Sequence, residues 1–177
     1  MEYLFLKRKK TTVTSERQKS LLFKAAERHW EELFSARESG GRKVDCDIYK
    51  GILYRLEIQQ VFLDPSLSLK KLCEMIDTNQ TYLSNVVNRY FNCNLKELVN
   101  TYRVEYAKEL LRDGHCPLEA LPKRCGFASR SVFYAAFSKV VGVSPLHYLS
   151  QVQKQAESIA GKSDNLFIIN SNMYNQF

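Results

Sequence analysis

Long apolar runs are missing from this sequence of 177 residues, which limits where the chain can reside. No stretch of about 18 apolar residues occurs, so nothing in it is long enough to span a bilayer as a helix. The apolar start, residues 3–6, is too short for a signal peptide, and basic residues follow it instead of preceding it. We therefore expect a disordered basic N-terminus on a cytoplasmic protein. The alternative is the cytoplasmic end of a membrane-anchored protein, because a short apolar run before basic residues is also typical there.

The five cysteines show no pairing pattern. They lie at positions 46, 73, 93, 116 and 125, without a C-x-x-C spacing, and the three histidines are scattered. This pattern predicts reduced, buried thiols and neither a disulfide framework nor a metal site. A Ser-His-Asp set, a glycine-rich phosphate loop and a paired-carboxylate motif are also absent. The sequence therefore predicts no catalytic residues, no cofactor and no small-molecule ligand, and the protein is not expected to be an enzyme.

Strand-period alternation is absent before the C-terminal tail, whereas apolar residues recur at helical spacing. The expected fold class is therefore all-α. Ser68 is a predicted N-cap, and Asp64-Pro65 a predicted helix end. The predicted helices cover residues 14–37, 48–63, 69–76, 80–91, 95–112, 117–125 and 145–160, with one more after the turn at Gly126.

Two parts of the chain repeat each other. At an offset of 49, Leu69, Leu72 and Asp77 correspond to Leu118, Leu121 and Gly126. At an offset of 50, Leu83, Val87, Asn92 and Leu98 correspond to Phe133, Phe137, Gly142 and Tyr148. The second turn is thus one residue longer than the first. Each half has two helices around a tight turn, and the second helix has an apolar back and a polar front, as in a helix-turn-helix. The sequence predicts two such units, about 48–93 and 116–150, joined by one long helix at 95–112.

This arrangement points to DNA, because the second helix of a helix-turn-helix is the kind that enters a major groove. The joining helix has about 18 residues and spans roughly 27 Å, and successive major grooves lie about 34 Å apart. One chain could therefore place both recognition helices in adjacent grooves. The formal net charge of +7 suits a polyanion but is weak support alone, and residues 64–115 carry no net charge.

The motifs resemble the DNA-binding domain of the AraC/XylS family of transcription regulators. The matching residues lie between Ile48 and Leu149 and are Leu69-x-x-Leu72-Cys73, Tyr82-Leu83-Ser84, Arg103-Val104-x-x-Ala107-Lys108-x-Leu110-Leu111, Gly126-Phe127-x-Ser129, and Phe133-x-x-x-Phe137-x-Lys139-x-x-Gly142-x-Ser144-Pro145-x-x-Tyr148. The resemblance implies such a domain over 48–150. It also implies control of transcription, with activation as the expected direction and double-stranded DNA and RNA polymerase as partners.

Outside the domain remain a segment at 1–47 and a tail at 151–177. The first is too short for a sugar-binding barrel. Its helix at 14–37 either packs on the domain or serves as a dimerisation or signal-relay helix, with a homodimer as the consequence. The residues do not separate these alternatives.

Base reading requires donors and acceptors on the exposed face near the start of each recognition helix. The candidates are Gln80, Thr81, Ser84 and Asn85 in the first unit and Arg130, Ser131 and Tyr134 in the second. They also match the positions where the family places its base-contacting residues. Asn85 could pair with adenine, and Arg130 with guanine. The alternative for each position is an ordinary solvated helix face.

Phosphate contacts require cations near the same surface. The candidates are Arg89, Arg103, Lys123 and Lys139. Arg103 lies in the middle of the joining helix, so its alternative is a pair with a carboxylate at the edge of the core.

Two residues depart from the family pattern. Pro122 occupies a position where the family usually has alanine, and it should kink or shorten the helix at 117–125. Ala135 occupies a position where many members have arginine. We therefore expect the first unit to read more of the DNA sequence. The alternative function is a protein-interaction module with degenerate DNA-reading units.

Overall fold

A computed structural model describes residues 26–32, 34–35, 43–114 and 116–155. These residues form helices and their connections without a β-strand, which confirms the all-α prediction. Residues 26–32 and 34–35 are helical. The α-helices that follow are α1 (Lys43–Leu53), α2 (Leu69–Ile76), α3 (Gln80–Phe91), α4 (Leu95–Arg112), α5 (Leu121–Arg124), α6 (Arg130–Val141) and α7 (residues 145–155). The basic N-terminus, the start of the predicted 14–37 helix and the tail after residue 155 lie outside the described residues.

Side-chain caps begin five of these helices, and at α7 the Ser144 hydroxyl accepts a hydrogen bond of 3.3 Å from the His147 backbone N–H. The capping oxygens of Ser68, Asn79, Asn94 and Ser129 accept hydrogen bonds from the backbone N–H three residues later. Glu97 also accepts from the Asn94 backbone N–H and completes a capping box at the start of α4. The predicted cap at Ser68 is confirmed.

The repeat is visible in the backbone. Asp77 and Gly126 end the first helix of each unit in the left-handed conformation, with φ of 58° and 77°. Asn92 and Gly142 do the same after the second helix, with φ of 55° and 83°. The inward positions, Leu83 and Val87 in α3 and Phe133 and Phe137 in α6, are fully buried. Residues paired by the two sequence offsets therefore have the same backbone conformation or the same burial in the two units.

The prediction of a single helix over residues 48–63 is wrong. α1 begins at Lys43 and continues as a π-helical turn, Tyr54–Ile58, which is followed by a 3₁₀ turn, Val61–Leu63. The wider π turn brings three successive side chains, Leu56, Glu57 and Ile58, into buried positions. Glu57 there accepts a hydrogen bond of 2.9 Å from the Tyr102 hydroxyl. The predicted end before Asp64 is correct.

The helix predicted over 117–125 is much shorter than expected. Residues 118–120 form a turn, and α5 contains only Leu121–Arg124. Pro122 occupies the second position of α5, where the missing N–H would have no partner within the helix. The predicted shortening by Pro122 is confirmed.

Two hydrophobic cores meet on α4. The first includes Leu98 and Tyr102 from the N-terminal half of α4, and the second includes Val104, Ala107 and Leu111 from its C-terminal half. The first core also contains Ala26, Trp30 and Phe34, so the described part of the 14–37 helix packs on the domain. The predicted domain boundary after residue 47 falls inside α1.

Candidate nucleic-acid interface

The exposed face of α3 carries the residues predicted to read bases in the first unit. Gln80, Thr81 and Asn85 are exposed and Ser84 is half-buried. The opposite face, with Leu83 and Val87, is fully buried and fixes the rotation of the helix about its axis. The polar front expected for a recognition helix is therefore present.

The exposed face of α6 carries the corresponding residues of the second unit. Arg130 and Ser131 are exposed, and Tyr134 is half-buried. The Arg130 Nη2 donates a hydrogen bond of 3.2 Å to the Tyr134 hydroxyl, and its guanidinium carbon lies 5.2 Å from the centre of the Tyr134 ring. Arg130 is thus held against its neighbour one turn later. Ala135 is exposed and adds no polar group to this face.

Two residues on the first polar face were not among the predicted candidates. Tyr82 and Asn88 are both exposed on α3, and Tyr82 retains 47% of its surface. The helical spacing of Thr81, Asn85 and Asn88 could have identified Asn88, because these positions follow each other along one side of a helix.

Three of the four phosphate candidates reach the surface. Lys123 is exposed. Arg89 lies 3.9 Å from Asp45 and against the Tyr90 ring. Lys139 donates a hydrogen bond of 2.7 Å to the Oε1 of Glu97. That bond raises the pKa of Lys139 and lowers the pKa of Glu97, so the pair remains charged at neutral pH.

Arg103 is placed elsewhere. It is 8% exposed, and its Nε and Nη2 donate hydrogen bonds of 2.7 and 2.9 Å to the carbonyl oxygens of Phe62 and Asp64. Burial lowers the pKa of its guanidinium. The structure therefore separates Arg103 from the exposed phosphate candidates. Its hydrogen bonds go to main-chain carbonyls and not to the carboxylate that was the alternative, although the charge of Asp64 favours the charged guanidinium.

A metal centre is another kind of site that the side chains of the described residues could form. These ranges contain no group of three or more histidine, cysteine and carboxylate side chains that could hold a metal ion. Cys73, Cys116 and Cys125 are buried free thiols, and burial raises the pKa of Cys125 to about 12. No described helix combines the length and apolar character that a membrane span requires.

Comparison with known proteins identifies the domain. Residues 72–151 match a family described as a helix-turn-helix domain. The chain is 26% identical over 98 residues to the melibiose operon regulatory protein of Escherichia coli K12, an alignment that covers 55% of this chain and 32% of that protein. It is 29% identical over 109 residues to the HTH-type transcriptional regulator AdiY of the same organism, covering 61% and 36%. Residues 72–151 therefore form an AraC-type helix-turn-helix domain.

A solved structure agrees with an AraC-type domain. The C-terminal domain of AraT, a response regulator from Geobacillus stearothermophilus, is 28% identical and gives a TM-score of 0.53, over 59% of this chain and 84% of that one. The chain spans about a third of the length of the curated relatives it matches. The AraC-type domain contains all seven base-reading candidates, from Gln80 to Tyr134.

Proposed function

We propose that this chain is a sequence-specific DNA-binding regulator of transcription that places α3 and α6 in adjacent major grooves. One observation carries the proposal. Two helices of 12 residues each, α3 and α6, are capped by Asn79 and Ser129, bury one apolar face and expose polar side chains at their start. The N-terminal part of such a helix is the part that reaches base edges in a major groove.

The connection between the two helices supports adjacent grooves. α4 has 18 residues, which corresponds to about 27 Å. With the width of the flanking units added, this length suits a groove repeat of about 34 Å. The names of the similar proteins, a melibiose operon regulatory protein and a transcriptional regulator, support the regulatory part of the proposal. RNA polymerase as a partner, activation, a homodimer and a cytoplasmic location remain parts of the proposal.

The two units are proposed to contribute unequally. α3 presents Gln80, Thr81 and Asn85 on its exposed face. In α6, the Nη2 of Arg130 is already engaged by the Tyr134 hydroxyl, and Ala135 offers no donor. The first unit is therefore proposed to read more of the sequence.

The proposal is tested by selecting duplexes from a randomised library with the full chain, followed by a salt titration of the selected duplex. We expect two short conserved boxes whose centres lie about 10 base pairs apart. We also expect log affinity to fall steeply and linearly with log salt, because Lys and Arg neutralise phosphates. A scrambled duplex of equal length is the control. An absence of enrichment, together with no binding near physiological salt, would contradict the proposal and favour the protein-interaction module.

A further inference from the structure

Arg103 lies at the junction between the two hydrophobic cores. The residue before it, Tyr102, belongs to the core of the first unit, and the residue after it, Val104, belongs to the core of the second. Arginine is rarely buried to this degree unless its donors are satisfied. The groups that satisfy Arg103 therefore identify what it holds together.

Three parts of the chain meet at the Arg103 guanidinium. Its hydrogen bonds go to the carbonyls of Phe62 and Asp64, in the segment that leads into the first unit. Its guanidinium carbon lies 5.5 Å from the centre of the Phe127 ring, in the turn of the second unit. The planar guanidinium can bind two carbonyls along its edge and stack on a ring with its face, which a lysine ammonium cannot do.

The same segment touches the second unit directly. A Cβ on Gly126 would lie 2.6 Å from the carbonyl oxygens of Phe62 and Leu63, so this turn packs on the backbone that Arg103 holds. We name the contact among Arg103, segment 62–64 and Phe127 the joint.

Beside the joint, the two units are separated by a cleft. It has a volume of ≈ 340 Å³, and its lining includes Leu67 and Leu69 from the first unit, Leu95 from α4 and Val132 from α6. Because this space is not filled by side chains, the packing there leaves room for the units to turn relative to each other. Beside the exposed pair of Lys139 and Glu97, the joint is the buried polar contact that can hold the angle between the units.

We propose that Arg103 is a positioning residue that sets the angle between the two helix-turn-helix units and thereby selects the spacing between the two half-sites on DNA. This rests on the proposed function, in which α3 and α6 occupy adjacent grooves. Each added base pair moves the second half-site by about 3.4 Å and rotates it by about 35° around the duplex. A joint that holds one angle favours one spacing, whereas a loosened joint accommodates several.

The test uses the full chain and the two-box duplex obtained by selection. Its spacer is shortened or lengthened by one and by two base pairs, and a duplex with the first box alone reports binding by one unit. The variants are R103M and R103K, and the matched control is K123M, which removes one positive charge, as R103M does, from an exposed position. Affinity is measured at fixed salt for every duplex, and thermal melting followed by circular dichroism confirms folding.

We expect the wild type to lose about tenfold or more in affinity when the spacer changes by one base pair, as it would for a mismatched site. R103M should lose affinity mainly at the native spacing, so that its affinity depends less on spacer length than that of the wild type. It should bind the single box within about twofold of the wild type. R103K should be intermediate, because an ammonium can bind a carbonyl but cannot stack on Phe127 as the guanidinium does. K123M should weaken binding by one common factor at every spacing.

Several outcomes would overturn the inference. An unchanged spacing profile in folded R103M and R103K would do so. So would a uniform loss with a reduced salt slope, because that is the signature of a lost phosphate contact. If R103M does not fold, R103K and F127L decide in its place, and unfolding of all three would also reject a role in positioning. Selection of a single box would instead refute the two-groove part of the proposed function.

Discussion

Gly126 and Gly142 share a left-handed backbone, with φ of 77° and 83°, but their surroundings differ. A Cβ on Gly126 would lie 2.6 Å from the carbonyl oxygens of Phe62 and Leu63, whereas a Cβ on Gly142 would meet no atom within 4 Å. The two glycines therefore form a matched pair in which backbone strain is similar and steric collision occurs at one site.

The first prediction compares G126A with G142A. G142A should cost about 1–2 kcal/mol in unfolding free energy, the strain of a left-handed alanine. G126A should cost about 3 kcal/mol or more, because overpacking against fixed backbone adds to the same strain. Urea unfolding of both variants and the wild type measures the difference. Equal losses would show that segment 62–64 can move away from the turn.

The second prediction concerns the N-terminal helical segment. Phe34 is buried, and its ring centre lies 4.7 Å from that of Tyr90, near the C-terminal end of α3. F34A should lower the unfolding free energy by about 3 kcal/mol or more, as is typical of a large aromatic removed from a core. The control is S35A at the exposed neighbouring position, where a change within about 0.5 kcal/mol is expected. A loss below about 1 kcal/mol for F34A would show that the segment is a separate module.

The third prediction is a pH dependence of the pair between Lys139 and Glu97. The hydrogen bond from Lys139 lowers the pKa of Glu97 below its unfolded value. The stabilisation is therefore fully present above the unfolded pKa and is lost as pH falls through the folded pKa. E97Q should be less stable than the wild type at neutral pH, and the gap should close as the pH falls through the lowered pKa of Glu97. Glutamine can still complete the capping box with Asn94, so the comparison isolates the charge.

Unfolding free energies of the wild type, E97Q, K139M and the double variant at each pH give the coupling between the two residues. A coupling that does not weaken between neutral pH and the acid range in which Glu97 is protonated would contradict this assignment.

The fourth prediction separates the two recognition helices. N85A should reduce the ratio of affinities for selected and scrambled DNA more than R130A does, because Arg130 is already engaged by Tyr134 and Asn85 is exposed on the first unit. A lost bidentate base contact is worth about 1–3 kcal/mol of discrimination. Equal losses at the same salt concentration would refute the unequal roles of the two units.

Features set by neighbouring residues were predictable from the sequence. The cap at Ser68 and the polar fronts of α3 and α6 depend on contacts within one or two helical turns. The break after α1 was not predictable, because the π turn brings Glu57 to Tyr102, which lies 45 positions away in the chain. Local periodicity contains no signal for such a contact.

The difference between local and long-range contacts also explains which parts of the candidate interface were predictable. A polar helix face follows from spacing, so most candidate residues lie on exposed surfaces. The placement of Arg103 follows from carbonyls that lie 41 and 39 positions earlier in the chain. An arginine in mid-helix has the same local sequence signature whether it faces solvent or a buried carbonyl. Its environment was therefore visible only in the folded chain.

The repeat is interrupted at one place, and that place has a structural consequence. One residue, Thr78, separates the left-handed Asp77 from the cap Asn79, whereas two residues separate Gly126 from the cap Ser129. One of these two is Phe127, which contacts both Arg103 and Phe133. Two identical copies of the first unit would lack this ring and could not form the joint. If the units arose by duplication, the inserted residue that makes them unequal also positions the second unit beside the first. A domain with the order of the two units reversed would therefore not form the same joint.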